Sequence, residues 1–372
     1  MKIMTVVGTR PEIIRLVRVI QLLDETVEHV LVHTGQNYDH GLNQVFFDEL
    51  ELRAPDHNLG IDTTSLGSVL GNTLMGMERV ISQEKPDAVL VLGDTNSSIA
   101  ALMAKRMRVP VFHMEAGNRC FDQNVPEEIN RRMVDHIADF NLVYTEHARR
   151  NLLAEGLHPR RIMLTGSPMR EVLDHFRDKI DASSILARLG LADKKYFLVS
   201  AHREENVDSP ARLNLLLDSL RKVQKVHGLR VIVSTHPRTR NRLEALSSPT
   251  RFEGLEFLEP FGFFDYCRLQ TQAACVLSDS GTISEESAIL GFPAVTIRDS
   301  MERPEVLDTG SILMTGLGAE EVVRNVGVAM RQRRTAAALP AEYQIEDTST
   351  RTVNFILSTA GRHAFWAGLH AR

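Results

Sequence analysis

Cysteine is scarce in this chain of 372 residues. Cys120, Cys267 and Cys275 are odd in number and form no C-x-x-C pair, which excludes a disulfide framework and a cysteine-rich zinc site. No G-x-G-x-x-G follows the first strand-like run, and no G-x-x-x-x-G-K-S/T occurs anywhere. Dinucleotide binding and ATP hydrolysis by the usual loops therefore lack support. No long uncharged apolar run exists, so no transmembrane helix is expected. The opening run Met1–Val7 is too short, and too soon followed by Arg10 and Glu12, for a signal peptide. A cytoplasmic protein with no membrane association is the expectation. Excess positive charge is also missing: the formal net charge is -5, which counts against a nucleic-acid partner.

What is present is ordinary globular composition, 43% hydrophobic and 24% charged, in a chain long enough for two cores. Short apolar runs recur: Ile3–Val7, Val30–His33, Ala88–Leu92, Val111–Met114, Leu142–Tyr144 and Ile162–Leu164. A second series follows with Tyr196–Ser200, Val231–Ser234, Cys275–Ser278, Ala294–Ile297 and Ile312–Met314. Helix-length amphipathic stretches such as Glu12–Leu23, Glu127–Ile137, Ala211–Val226 and Ile283–Leu290 lie between them. Continuous apolar strands alternating with helices indicate parallel sheets covered on both faces. The class is α/β, with two doubly wound, Rossmann-like domains over 1–168 and 169–348. The helical tail 349–372 carries the single Trp366 and is read as packing back on the first domain. In open parallel sheets ligands bind beyond the carboxyl ends of the strands, and the polar motifs fall at such ends.

Gly8-Thr9-Arg10-Pro11-Glu12 turns the first strand into a helix, whose N-terminus beside Arg10 suits an anion. A plain tight turn with a solvated Arg accounts for it equally well. Gly93-Asp94-Thr95-Asn96 ends the strand Ala88–Leu92, and a simple N-cap would explain Asp94 on its own. Glu115 follows His113 by two residues at the next strand tip, which reads as the same strand face. A carboxylate buried there needs a partner. Glu127 and Arg131, four apart at the start of a helix, share a face, and alone they read as a surface ion pair. His202 and Arg203, then His236, place basic groups at two successive strand tips of the second half. Ser280, Gly281 and Thr282 offer backbone N–H groups to a phosphate at a helix start. Glu286 in that helix could accept ribose hydroxyls, and Arg303 lies beside a Pro-started turn.

In one order, Gly8–Glu12, Gly93–Thr95, Glu115–Gly117 with Arg119, Pro126–Glu128 with Asn130 and Arg131, Asp279–Gly281 with Glu285 and Glu286, and Glu302–Glu305 closely resemble the non-hydrolysing UDP-N-acetylglucosamine 2-epimerases. The resemblance runs to about Gly318. It implies two Rossmann-like domains in a GT-B-type arrangement with the ligand in the interdomain cleft, and a homodimer. It implies interconversion of UDP-GlcNAc and UDP-ManNAc by anti elimination of UDP, a 2-acetamidoglucal intermediate and re-addition. The matched positions imply Asp94, Glu115 and Glu127 as the acid/base group. They imply Arg10, His202, Ser280 and Arg303 around the diphosphate, Arg131 lining the site and Glu286 on the ribose. The candidate catalytic set is thus Asp94, Glu115, Glu127 and His202. The candidate substrate-binding set is Arg10, Arg131, Ser280, Gly281, Glu286 and Arg303. UDP-sugar and UDP are the expected partners, with no metal and no cofactor.

The chemistry agrees independently. Inverting C2 takes a proton off one face and returns one to the other, which needs at least two acid/base groups. Departure of UDP needs cations or N–H groups at the diphosphate. Three departures from the family pattern stand out. Arg15 replaces a common Lys, and Asn37 replaces a His in a region that helps bind an activating UDP-GlcNAc. The resemblance therefore does not carry allosteric activation over. Gly117–Asp122 and Gly281–Ser284 look more like a capsule and O-antigen subgroup whose members epimerise 6-deoxy UDP-sugars such as UDP-2-acetamido-2,6-dideoxy-L-talose. Competing readings are a GT-B glycosyltransferase, which would leave the three carboxylates without an obvious joint role, and the hydrolysing epimerase, which would release free UDP and an N-acetyl amino sugar; a non-catalytic UDP-sugar sensor ranks low, because Asp94, Glu115 and Glu127 are all present.

Overall fold

The computed structural model describes residues 1–35, 46–245, 253–332 and 339–369. Asn37 lies outside them. The chain forms two compact units, Met1–Val172 with Ile345–Arg372, and Leu173–Gln344.

The first unit is built on seven strands: β1 (Lys2–Val7), β2 (Glu28–His33), β3 (His57–Asn58), β4 (Ala88–Leu92), β5 (Val111–Met114), β6 (Phe140–Val143) and β7 (Ile162–Leu164). All are parallel, in the order β3-β2-β1-β4-β5-β6-β7. Every residue of β4 and β5 is buried, as expected of strands covered on both faces. One face packs Met4, Val6, Val89 and Val91 against Met77, Val80 and Ala100. The tail helix Thr348–Thr359 belongs to this unit and lies against the helix Arg10–Thr26. Its Phe355 meets Phe140 edge-on at 5.5 Å, and Phe140 stacks on Phe112 at 4.8 Å. Each such ring burial is worth about 1.5–3 kcal/mol. The strand order reverses between neighbours β1 and β4, where Ile3 pairs with Ala88. That reversal opens a crevice at the carboxyl edge, and Gly8–Arg10 and Gly93–Asp94 are the residues that follow those two strands.

The second unit repeats the logic with six parallel strands in the order β10-β9-β8-β11-β12-β13. They are β8 (Tyr196–Ser200), β9 (Arg230–Ser234), β10 (Leu255–Leu258), β11 (Cys275–Ser278), β12 (Ala294–Ile297) and β13 (Leu313–Thr315). Its reversal lies between β8 and β11, whose following residues include His202 and Asp279–Gly281.

The expected strands are present within one or two residues. The sequence pattern misses β3 and β10: β3 has only two residues, and β10 is interrupted by Glu256, so neither gives a continuous apolar run. Between 167 and 193 lie the helices Met169–His175, Arg177–Asp181 and Ile185–Arg188. Among the described residues no helix is long and apolar enough to cross a membrane.

Candidate active site

In the first unit the sequence motifs meet at the carboxyl edge of β1, β4 and β5. Pro11 starts the helix after β1, and Glu12 folds back over its N-terminus, accepting from Gly8 N at 2.5 Å and Thr9 N at 3.0 Å. Its other oxygen accepts from the hydroxyls of Thr95 and Ser97. Glu12 therefore ties the loop after β1 to the loop that carries Asp94. Burial pushes its carboxyl above the usual range, and the four donors oppose that rise. The Arg10 guanidinium lies over the Phe46 ring, 5.5 Å from its centroid.

Glu115 does not continue the β5 alternation with His113, which corrects the shared-face reading. The strand ends at Met114, and Glu115 turns off it with φ of 63°, a left-handed conformation uncommon for a residue with a side chain. Its carboxylate swings over Gly93, where an added Cβ would lie 3.5 Å from Oε2. There it pairs with Arg15, both side chains being more than nine-tenths buried.

A buried clamp holds this turn. Both oxygens of Asp135 accept from Gly117 N, at 3.2 and 3.1 Å. Arg119 reaches Asp135 at 2.7 Å and grips Glu155 with two nitrogens, at 2.8 and 2.7 Å. The His113 ring stands 2.9 Å from Asp135 on one side and 2.7 Å from the Gly93 carbonyl on the other. Arg119 pulls the Glu155 carboxyl down to about 2. Gly117, with φ of 80°, has no room for a larger residue: a Cβ would sit 2.4 Å from the Ala148 carbonyl oxygen.

Asp94 pairs with Arg131. Arg131 is only 3% exposed and also meets Glu128 at 3.2 Å, so it is no surface ion-pair partner. Glu128 is buried as well, accepting from Cys120 N at 3.0 Å and Arg132 at 2.8 Å. Asn130 donates to the Asp94 carbonyl at 3.0 Å, stitching this helix to the β4 loop. Glu127 sits half-buried in the helix's first turn, beside these groups.

In the second unit the hub is Asp279, fully buried after β11. It accepts from His202 N at 3.1 Å, Arg203 N at 3.0 Å and Asn206 Nδ2 at 3.1 Å, fixing the loop after β8. The His202 ring lies 3.6 Å from Asp279 and 5.4 Å from the His236 ring. Burial lowers its basicity, aided by Arg203 and Arg238 and opposed by Asp279. Ser280, Gly281 and Thr282 form a small loop at the start of the helix Ile283–Leu290, with the Ser280 and Thr282 hydroxyls 3.0 Å apart. Arg303, 2% exposed, donates to the Gly281 carbonyl and pairs with buried Glu285, each at 3.0 Å. It braces this loop. Glu286 accepts from Gln270 at 2.5 Å.

The family model for UDP-N-acetylglucosamine 2-epimerase matches residues 21–357. The chain belongs to the UDP-N-acetylglucosamine 2-epimerase family. A solved UDP-N-acetylglucosamine 2-epimerase from Rickettsia bellii is 45% identical, with a TM-score of 0.91 over 98% of each chain. The Methanocaldococcus jannaschii enzyme, solved with UDP-GlcNAc and UDP, is 33% identical with a TM-score of 0.89, over 96% of this chain and 100% of that one. A Pseudomonas aeruginosa UDP-2,3-diacetamido-2,3-dideoxy-D-glucuronate 2-epimerase is 34% identical over 89% of this chain and 92% of its own. This family member is accordingly an isomerase of two parallel-sheet units.

Several residues of these strand-edge clusters are unassigned in the sequence analysis. Arg15 enters there only as a departure from a common Lys, yet it grips Glu115. Asp135, Glu128 and Glu12 are absent from the candidate sets. A signal did exist for two of them: Glu12 and Arg15 fall on the same 3–4 spaced stripe as Val19 and Leu23, the buried face of their helix. Charges on a buried stripe need partners and so point to a site.

Proposed function

We propose that the protein inverts C2 of UDP-N-acetylglucosamine to give UDP-N-acetylmannosamine, without hydrolysis. The observation that carries this reading is the pair of carboxylates at the tips of adjacent strands. Asp94 after β4 and Glu115 after β5 are each held by a buried arginine, Arg131 and Arg15. One carboxylate takes the C2 proton while the C1–O bond to UDP breaks, leaving a C1–C2 double bond. UDP then adds back as a second acid returns a proton to the opposite face of C2. Glu127 completes the acid/base group. Arg10, His202 and the N–H groups of the Ser280–Thr282 loop take the diphosphate, Arg303 keeps that loop in shape, and Glu286 binds the ribose.

Identities of 33% and 34% to relatives named for different sugars leave the C6 substituent to turnover measurement. The 6-deoxy UDP-2-acetamido-L-talose is the second substrate to assay. A cytoplasmic homodimer is part of the same proposal, and sedimentation at the mass of one chain would remove the dimer. The test of the chemistry is substitution: Asp94→Asn, Glu115→Gln and Glu127→Gln each abolish turnover while UDP binding persists. Near-normal turnover in all three variants would sink the mechanism.

A further inference from the structure

A pocket of about 400 Å³ opens in the first unit at the amino edge of β5, β6 and β7. The acid/base carboxylates follow the opposite, carboxyl edge, so at least the four residues of β5, about 13 Å, separate the two. The pocket is therefore distinct from the site above. Its volume lies within the range of about 300–1,000 Å³ typical of small-molecule sites.

Its walls are built and charged. Asp139, just before β6, is buried and accepts from Val111 N at 3.0 Å and pairs with Lys105. His363 from the tail stands 2.7 Å from the same carboxylate, fixing the tail as one wall. Arg161 donates to the carbonyls of Ala138 and Asp139. The Trp366 indole is 38% exposed, with its ring 6.3 Å from that of buried Phe140. Arg160 lies over that indole at 5.3 Å, and among the described residues no carboxylate pairs with it. Against Lys105, Arg160 and Arg161 the pocket walls hold one carboxylate, Asp139, a surplus of two positive charges beside a part-exposed indole.

We propose that this pocket binds a nucleoside monophosphate. A phosphate monoester carries close to two negative charges at neutral pH, which matches the surplus. Arg160 leaves the indole to take the phosphate with Lys105, and the base stacks on Trp366 in its place, since every base offers a flat face to an aromatic side chain. The acid/base site and its substrate play no part in this assignment.

Trp366 is the single tryptophan of the chain, so its fluorescence reports on this pocket alone. The full chain, saturated with UDP to fill any UDP site, is titrated with AMP. The expected result is a saturable change in tryptophan emission. Adenosine and inorganic phosphate should each bind at least about tenfold more weakly than AMP, and Arg160→Ala should lose about tenfold or more in AMP affinity. Arg160 is exposed, so this variant folds, and melting at the wild-type temperature checks it. Lack of a saturable change, an equal response to phosphate alone, displacement of AMP by UDP, or unchanged affinity in Arg160→Ala would each overturn the assignment.

Discussion

Replacing Asp135 by Asn tests how the left-handed Glu115 turn is held. The side chain is fully buried, with its two oxygens on Gly117 N, Arg119 on one of them and His113 alongside. Asn keeps the shape and one acceptor but removes the charge. Arg119 would keep Glu155 and lose its buried partner. Breaking a buried pair costs about 3–5 kcal/mol. At about 2–4 °C per kcal/mol for a unit of this size, the melting temperature should fall by about 6–20 °C. A side chain held at φ of 63° stores about 1–3 kcal/mol, which the clamp sustains. Once the clamp loosens, the Glu115 carboxylate drifts, and a misplacement of about 1 Å costs about a hundredfold in rate. The expected variant is therefore less stable and about a hundredfold lower in kcat. Its KM for the nucleotide sugar is unchanged, because the diphosphate groups are untouched. Calorimetry gives the first quantity, and turnover measured well below the melting temperature gives the second. A melting temperature within about 2 °C of wild type, or kcat within about twofold, would refute the clamp.

Two further predictions concern other charges. Arg303→Ala removes the brace of the 280–282 loop and leaves Glu285 without that buried partner, so KM for the nucleotide sugar should rise by about tenfold or more. An unchanged KM would take Arg303 out of nucleotide binding. Glu155 has a folded pKa of about 2 against an ordinary 4.5. Its pairing with Arg119 thus adds stability above about pH 4.5 that is lost as pH falls from there toward 2. The shift caps this at about 3 kcal/mol, and with its side chain 22% exposed about 1–2 kcal/mol is expected after screening. Glu155→Gln should flatten stability against pH in that window, and an unaltered acid limb would contradict the assignment.

The parallel sheets were legible because their strands are buried on both faces and read as unbroken apolar runs. Leu255–Leu258 was not, since Glu256 interrupts it and three of its four residues are only partly buried. Strand-tip motifs were legible as well, Asp94 and the Ser280–Thr282 loop above all, because a parallel sheet presents such tips at one edge. What joins those motifs was hidden. Arg15 and Glu115 lie a hundred residues apart, and only the β1–β4–β5 order brings the first helix over the second loop. Glu115 itself was misjudged in direction, because periodicity carries no sign of the backbone leaving the strand at Met114. Arg303 was named through resemblance, but its pairing with buried Glu285 was hidden, because no spacing rule joins the two.

The central claim, proton exchange at C2 with inversion, is tested most directly by proton NMR of UDP-GlcNAc incubated with the protein in D2O, with the 6-deoxy L-talo sugar in parallel. The account predicts deuterium at C2 together with the C2 epimer, with no added cofactor and no free sugar. Absence of exchange with either sugar, while UDP still binds, would contradict it.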